Sequence, residues 1–489
     1  MFGIKKEIKK KLEASNDLLS NINGYSLDLE QRLAVIDSSK SLLLIAGAGS
    51  GKSLTMIGKV MYLINQLNYK PDEILCITFT REACNNLMRN INKNNNYNVK
   101  VYTFHSLARL LLKDKNYSLA PNDLLEYVTD EYFYMIEYNS KFKFLVKKLI
   151  GKIDTPYKTI LKSKELIALK KLIITFINLF KTNNYDIKYF LKIKTNKDLI
   201  RIIIDIYNLY EDELKSTSSL DYNDLIKEGI LYIQNNSIPN YKYIIVDEYQ
   251  DTSYIRYLLL KQIIDKNDCK IVCVGDDYQS IYRFSGCNLN MFLDFKKYFK
   301  KSKILKINNT YRNSQELINV AGKFIMKNKR QMYKKLTSSK HIDKPIKIMY
   351  SNSLYKLLDK VTVKYNNILI LGRNNFDINK YFKTSIINYN GANIKYMTVH
   401  SSKGLEEDCV IIINLSDDIL GFPNKIKDNK VLKYVNNSKD FYLYEEERRL
   451  FYVALTRSRN EVYLLVDKNN ISPFAREIIK DNTKYIEYI

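Results

Sequence analysis

Nine stretches of the chain are apolar without interruption, where a half-exposed strand would alternate. The first four are SLLLIAG (41–47), EILCITFT (73–80), YKYIIVDE (241–248) and KIVCVGDD (270–277), and each ends in small or polar residues. Continuous runs suit strands of a parallel sheet covered on both faces. Such sheets bind ligands at the carboxyl ends of their strands, which is where these runs set Lys52, Thr80, Asp247 and Asp276. Five further runs share this character: ILKINNTYR (304–312), NILILGRN (367–374), IKYMTVHS (394–401), CVIIINL (409–415) and EVYLLVD (461–467). Two α/β sheets in series are the simplest arrangement that holds both sets. Between the early strands, residues 108–218 change period. Apolar positions there recur at helical spacing, as in LKSKELIALKKLIITFINLF (161–180), which predicts an inserted helical domain. A basic leader, residues 1–23, precedes GYSLDLEQRLAV (24–35) and reads as helical.

Composition adds a partner class. The 489 residues, enough for roughly three domains, carry a formal charge of +25. A basic surface gains from counterion release on nucleic acid. An AT-rich coding sequence would also raise the Lys content, so the charge alone does not decide. None of the six cysteines forms CxxC, so neither a zinc site nor a disulfide framework is expected. The opening MFGIKKEIKKKLEAS lacks a signal peptide's apolar stretch. Nor does any uncharged apolar run reach the ~18 residues of a membrane span. A soluble, cytoplasmic protein without a membrane partner is expected.

The strand ends then supply chemistry. AGAGSGKS (46–53) fits G-x-x-x-x-G-K-[ST], with Ala46 in place of the first Gly. After an apolar strand, the backbone N–H groups of Gly47, Ala48, Gly49, Ser50 and Gly51 suit a phosphate cradle at a helix N-terminus. Lys52 would neutralise β/γ-phosphate charge and Ser53 would ligate Mg²⁺. VDEYQD (246–251) offers Asp247 as the metal carboxylate and Glu248 to polarise the attacking water. In GDDYQSIY (275–282), Gln279 can reach a γ-phosphate just before Tyr282 and Phe284, a spacing that suits coupling of a triphosphate to a stacked base. Further along lie TYRNSQE (310–316), TVHSSKGLE (398–406) and EEERRLFYVALTRSR (445–459). They bring Tyr311, Arg312, His400, Lys403, Glu406, Arg448 and Arg457. An Arg from a separate domain can gate hydrolysis, because its planar fork stays ionised. Arg448 and Arg449 read equally as a solvated helix face.

Taken in order, LDLEQRLAV, AGAGSGKS, ITFTREA, YTFHSLA, LDYNDL, VDEYQDT, VGDDYQSIYRFSG, NTYRNS, MTVHSSKGLE and ERRLFYVALTRS resemble the motif series of the UvrD-like helicases of superfamily 1. VGDDYQSIYRFSG with NLNMFLDF looks like the helicase IV type. The resemblance implies two RecA-like P-loop NTPase lobes, with ATP and Mg²⁺ between them. Lobe 1A would be 24–107 and 219–298, the helical insertion 1B 108–218 and lobe 2A 299–489. It implies an ATP-dependent 3′→5′ helicase on single-stranded or tailed duplex DNA, in repair, recombination or defence. Gln31 would read the adenine edge and Tyr311 stack on the base. Gln279, Arg312 and Arg457 would contact the γ-phosphate, and Glu406 the ribose side. Phe79, Thr103, His105, Tyr282, Phe284 and His400 would line the DNA path.

The chain departs from the pattern at several points. Leu54 and Ser285 stand where many relatives place Arg. Only about 20 residues separate LGRNN (371–375) from MTVHSSKG, so domain 2B is expected to be reduced or absent. No cysteine cluster follows residue 466. The compactness admits a second reading, an ATP-gated DNA-sensing subunit that recruits or regulates a nuclease, repair or defence partner with little unwinding of its own. A third, an RNA helicase, has no separate RNA-binding module to support it.

Overall fold

The computed structural model describes residues 6–93, 97–351, 353–436 and 442–489. In chain order its strands are β1 (Ser41–Ala46), β2 (Ile74–Thr78), β3 (Val101–Thr103), β4 (Ser118–Leu119), β5 (Ser219–Leu220), β6 (Tyr243–Val246), β7 (Lys270–Gly275), β8 (Ser302–Ile307), β9 (Ile346–Tyr350), β10 (Asn367–Gly372), β11 (Ile386–Tyr389), β12 (Ala392–Thr398), β13 (Glu407–Ile412), β14 (Ser458–Val466) and β15 (Ile486–Tyr488). They form two large sheets, β3-β2-β6-β7-β1-β8 and β11-β12-β10-β13-β14-β9-β15. The first is parallel throughout, and in the second only the edge strand β11 runs antiparallel to its neighbour. Every residue of β1, β2 and β6 is buried, as continuous apolar runs require.

One domain boundary needs correction. The run containing β8 reads as the start of lobe 2A, but β8 pairs with β1 across six residues, Leu44 beside Leu305, and is the sixth strand of the first sheet. An apolar run does not record which sheet it joins, because that pairing is long-range. The basic leader is helical, as its sequence suggests. Helix Lys6–Ala14 and the turn Asn16–Leu19 lay Ile8 and Leu12 against the lobe 1A core, while Leu19 and Ile22 are fully buried in it. It is an outer layer of lobe 1A with its lysines facing solvent. Its Lys5 lies outside the described residues.

The helical insertion begins later than 108. Helix Phe104–Leu111 packs Phe104, Leu107 and Ala108 into lobe 1A, and β4 pairs with β5 at the neck of the insertion. Beyond the neck, helices Leu124–Met135, Ser140–Leu149, Lys164–Thr182 and Lys197–Ser216 enclose a separate core around Phe133, Phe176, Phe180 and Ile203. That core also takes in Val431, Leu432 and Val435, which belong to lobe 2A in sequence. Asn183 Nδ2 donates to Val435 O at 2.8 Å and Tyr189 OH donates to Tyr434 O at 2.5 Å, strapping 2A onto the insertion. Between β10 and β12 stand one 3₁₀ turn, Asn375–Lys380, and strand β11.

Candidate functional site

The P-loop turns directly out of β1. Gly49 and Gly51 have φ of +70° and +74°, a region closed to most side chains. A Cβ on Gly49 would lie 2.4 Å from Arg312 Cβ, so glycine also lets the loop approach the segment that bears Arg312. Tyr311 N donates to Gly49 O at 2.9 Å and Thr310 Oγ1 to Ala48 O at 2.7 Å. Ser50 Oγ is buried without a hydrogen-bond partner among the described residues, an orphan that a phosphate oxygen would satisfy.

A cleft of about 360 Å³ opens here, lined by residues 48–54, Glu248, Gln279, Tyr311, Arg312, Gly404, Glu406 and Arg457. The structure thus brings together side chains separated by some four hundred residues of sequence. Leu54 lines the cleft beside Ser53. Lys52 Nζ donates to Glu248 Oε1 at 3.3 Å, and Glu248 takes the left-handed backbone (φ +48°) that a non-glycine residue rarely adopts. Burial and the neighbouring Glu248 raise the Asp247 carboxyl above its ordinary range. Glu248 is likewise partly buried, but Lys52 and Lys403 outweigh the desolvation and hold it below. Asp247 and Ser53 present carboxylate and hydroxyl oxygens, the donor set a Mg²⁺ ion prefers.

Arg457 is the largest fully buried side chain, 1% exposed. Its Nε donates to Val453 O, Nη1 to Leu405 O and Nη2 to Gln279 Oε1 at 3.0 Å, all neutral acceptors. No carboxylate among the described residues pairs with it. Burial and the nearby Arg312 pull its pKa down to about 9. Glu248 and Glu406 offset this only in part, and an anion entering the cleft would relieve the buried charge further. Arg312 instead bonds Glu406 through Nε at 2.5 Å, and Arg459 holds the other Glu406 oxygen.

Gln31 and Tyr311 lie at the cleft's rim. Gln31 is buried with both ends of its amide engaged: Oε1 accepts from Asp28 N, and Nε2 donates to Ser50 O at 3.0 Å. Tyr311 is 60% exposed and its hydroxyl donates to Asp28 Oδ2. Ala46 closes β1 and is fully buried.

On the other face of the lobe junction, rings gather. Phe79 lies parallel to Tyr282 with centroids 6.2 Å apart, and Tyr282, Phe284 and His400 meet edge-on or tilted at 5.6–6.3 Å. Tyr282 OH donates to His400 O across the junction. Phe284 is 59% exposed. His105 packs on Tyr222. Burial, with Arg256 and Arg81 near His105 and Arg373 near His400, drops both imidazole pKa values to about 4. Thr103 does not present itself to this groove: it is buried, and its hydroxyl caps helix Phe104–Leu111 by accepting from Ser106 N.

Sequence reasoning missed two participants, Arg256 and Lys334, and named Lys403 without giving it a role. Arg256 sets its guanidinium 4.5 Å over the Phe79 ring, and nothing in YIRYLLLKQ marks it. Lys403 bonds Asp251 and Gln279 O, joining the lobes. Lys334 lies buried against Asp276 and Asp277. Arg448 and Arg449, for their part, are no solvated face. Arg448 pairs with Glu477, and Arg449 pairs with Glu445 and donates to Ser280 O at 2.7 Å.

Two largely parallel sheets, the first carrying a P-loop, with a cleft lined from both, define a bilobal nucleoside triphosphatase. Residues 27–300 match the UvrD/REP helicase N-terminal domain and residues 379–469 the UvrD-like helicase C-terminal domain. The chain is 27% identical to DNA helicase IV of Escherichia coli (strain K12), over 95% of this chain and 72% of that protein. It is 28% identical to ATP-dependent DNA helicase Rep of Buchnera aphidicola subsp. Acyrthosiphon pisum, over 92% and 72%. It is 30% identical to a probable DNA helicase II homolog of Rickettsia conorii, over 74% of this chain but only 56% of that protein. The chain belongs to the UvrD/Rep family of ATP-hydrolysing DNA helicases. Among the described residues no helix is long and apolar enough to cross a membrane.

Proposed function

We propose that this chain is an ATP-driven 3′→5′ translocase and helicase on single-stranded DNA, acting in repair, recombination or defence. The observation that carries this reading is Arg457, a buried cation without an acidic partner, in a cleft whose opposite wall is the P-loop. Lys52 and the loop amides hold the phosphates. Glu248, kept ionised by Lys52 and Lys403, orients water and accepts its proton. Ser53 and Asp247 would hold Mg²⁺, which screens phosphate charge when bound. A γ-phosphate draws Arg457 from Gln279 and Arg312 from Glu406; its loss lets those bonds re-form. Tyr311 stacks on the base, and Gln31 reads the adenine edge by releasing Ser50 O. Because Gln279 precedes Tyr282 and Phe284 on one short loop, each cycle moves the rings on which bases stack, with Phe79, His105 and His400 beside them.

Hydrolysis and strand separation on 3′-tailed, 5′-tailed and blunt duplexes test this. Unwinding confined to 3′-tailed substrates is expected; unwinding from 5′ tails would reverse the polarity assigned. The short span between β10 and β12 supports a second reading, a DNA-sensing ATPase subunit that switches a nuclease, repair or defence partner. Strong DNA-stimulated hydrolysis without strand separation, restored by a copurifying protein, favours it.

A further inference from the structure

We propose that Lys334 is a positioning residue that sets the orientation of Gln279, and through it the coupling of Arg457 to the nucleotide. The proposal rests on the reading of Gln279 as a γ-phosphate contact. Lys334 belongs to a segment that leaves lobe 2A after helix Gln315–Ile325 and runs back along lobe 1A. There Gln331 Nε2 and Met332 N donate to Asp277 Oδ2 at 2.9 and 2.8 Å, and Lys306 Nζ donates to Tyr333 O. The segment ends beside the P-loop, where a Cβ on Gly47 would meet Leu336 at 2.8 Å.

The Lys334 side chain is 1% exposed. Its ammonium donates to Asp276 Oδ1 at 2.5 Å and to Asp277 Oδ1, and sits 3.3 Å from the centre of the Tyr278 ring. Two adjacent buried carboxylates demand such a cation, since neither is solvated. The second oxygen of Asp276 accepts from Gln279 Nε2 at 2.7 Å, and Gln279 Oε1 accepts from Arg457. An ionised carboxylate only accepts, and a guanidinium only donates. Gln279 therefore has one satisfied orientation, with its amide nitrogen toward Asp276 and its oxygen toward Arg457. The second N–H of that nitrogen is left for a phosphate oxygen in the cleft. Without the ammonium, nothing offsets the two adjacent carboxylates, Asp276 loses the contact that fixes its orientation, and its hold on Gln279 Nε2 is lost. Gln279 can then turn over, and its NH₂ opposes Arg457. Thus a lysine that touches neither nucleotide nor DNA keeps the sensor facing its arginine.

The test compares Lys334→Met, Lys334→Arg and Asp276→Asn. Two quantities are read: steady-state ATPase with single-stranded DNA, and the ratio of DNA affinities with ADP and with a non-hydrolysable ATP analogue. Lys334→Met should lower kcat about tenfold or more, the scale of one misplaced polar group in an active site, with KM for ATP moving less than about threefold. The affinity ratio should collapse toward one. Lys334→Arg should keep most of kcat. Asp276→Asn should repeat the Met phenotype, and the double variant should be no worse than either single, because both break one chain of contacts. A Lys334→Met protein with wild-type kcat and affinity ratio but a lowered thermal midpoint would reduce Lys334 to a structural staple and overturn the proposal. If that variant does not fold, an Asp276→Asn protein with unaltered kcat overturns it equally. Should the wild-type protein hydrolyse ATP without responding to DNA, the helicase reading falls. Lys334 is then judged on basal kcat, where a tenfold loss supports the proposal and no loss ends it.

Discussion

On the nucleotide side of the lobe junction, charged groups of one lobe bond polar groups of the other: Arg457 to Gln279, Lys403 to Asp251, Arg449 to Ser280 O. On the strand side, rings meet rings, and Phe284 stands 59% exposed. The first surface is directional, and its Arg457–Gln279 bond lies in the cleft, where the phosphates of ATP would compete for it. On the function proposed, the second would be sequence-tolerant, because every base offers a π-face. Damage to the first should therefore appear as lost rate, and damage to the second as lost affinity.

The sharpest way to break that contrast is Lys52→Ala. The variant loses the cation that faces the phosphates and leaves a half-buried position at a helix start, so the fold should persist. Hydrolysis should fall by at least ~10²–10³, measured as phosphate release with a circular-dichroism spectrum unchanged. Substantial turnover would mean that the loop does not hold the phosphates.

Arg457→Ala comes next. Three buried acceptors lose their donor, so the thermal midpoint should fall, but the fold should persist and DNA-stimulated kcat should drop by ~10³, as for a removed arginine finger. Full DNA-stimulated activity in this variant would undo the two-lobe account even with the P-loop correctly read.

Phe284→Ala tests the opposite surface. Single-strand affinity should weaken by ~1–3 kcal/mol, while ATPase without DNA and the thermal midpoint hold, since the ring is mostly exposed. A fall in stability with unchanged affinity would make Phe284 a packing residue.

How far each surface was legible follows from the range of the interactions that build it. The P-loop and the Asp247–Glu248 pair were readable because strand, turn and catalytic group are contiguous in sequence. Arg457 and Glu406 were found through motif resemblance, and their convergence on Lys52 needed the fold. Lys334 and Arg256 were invisible: each sits in an unremarkable stretch and gains its role from a partner far along the chain. The same holds for β8, whose apolar run fits either sheet, and for Val431, Leu432 and Val435, which fill the core of the helical insertion from lobe 2A. Thr103 was named for its place in a motif, and the fold gives its hydroxyl a further task, capping a helix.

The histidines sharpen the comparison at its faintest point. His105 and His400 border the strand face, and a basic groove would gain if either were an imidazolium. Burial and nearby arginines instead hold both near pKa 4, below the ordinary 6.5. Both are therefore neutral in the folded protein from pH 8 to 5, and neither should strengthen DNA binding as pH falls. The unfolded chain does take up those protons near pH 6.5, so it binds more protons than the native state between about 6.5 and 4. Stability accordingly falls as pH drops through that window and is full above it. Between pH 7 and pH 5 the thermal midpoint of the wild type should fall a few degrees further than that of His400→Gln. Single-strand affinity should show the same pH slope in both proteins. An affinity that rose from pH 7 to 6 in the wild type alone would place a charged His400 on the DNA backbone. The strand face would then share the ionic character of the nucleotide cleft.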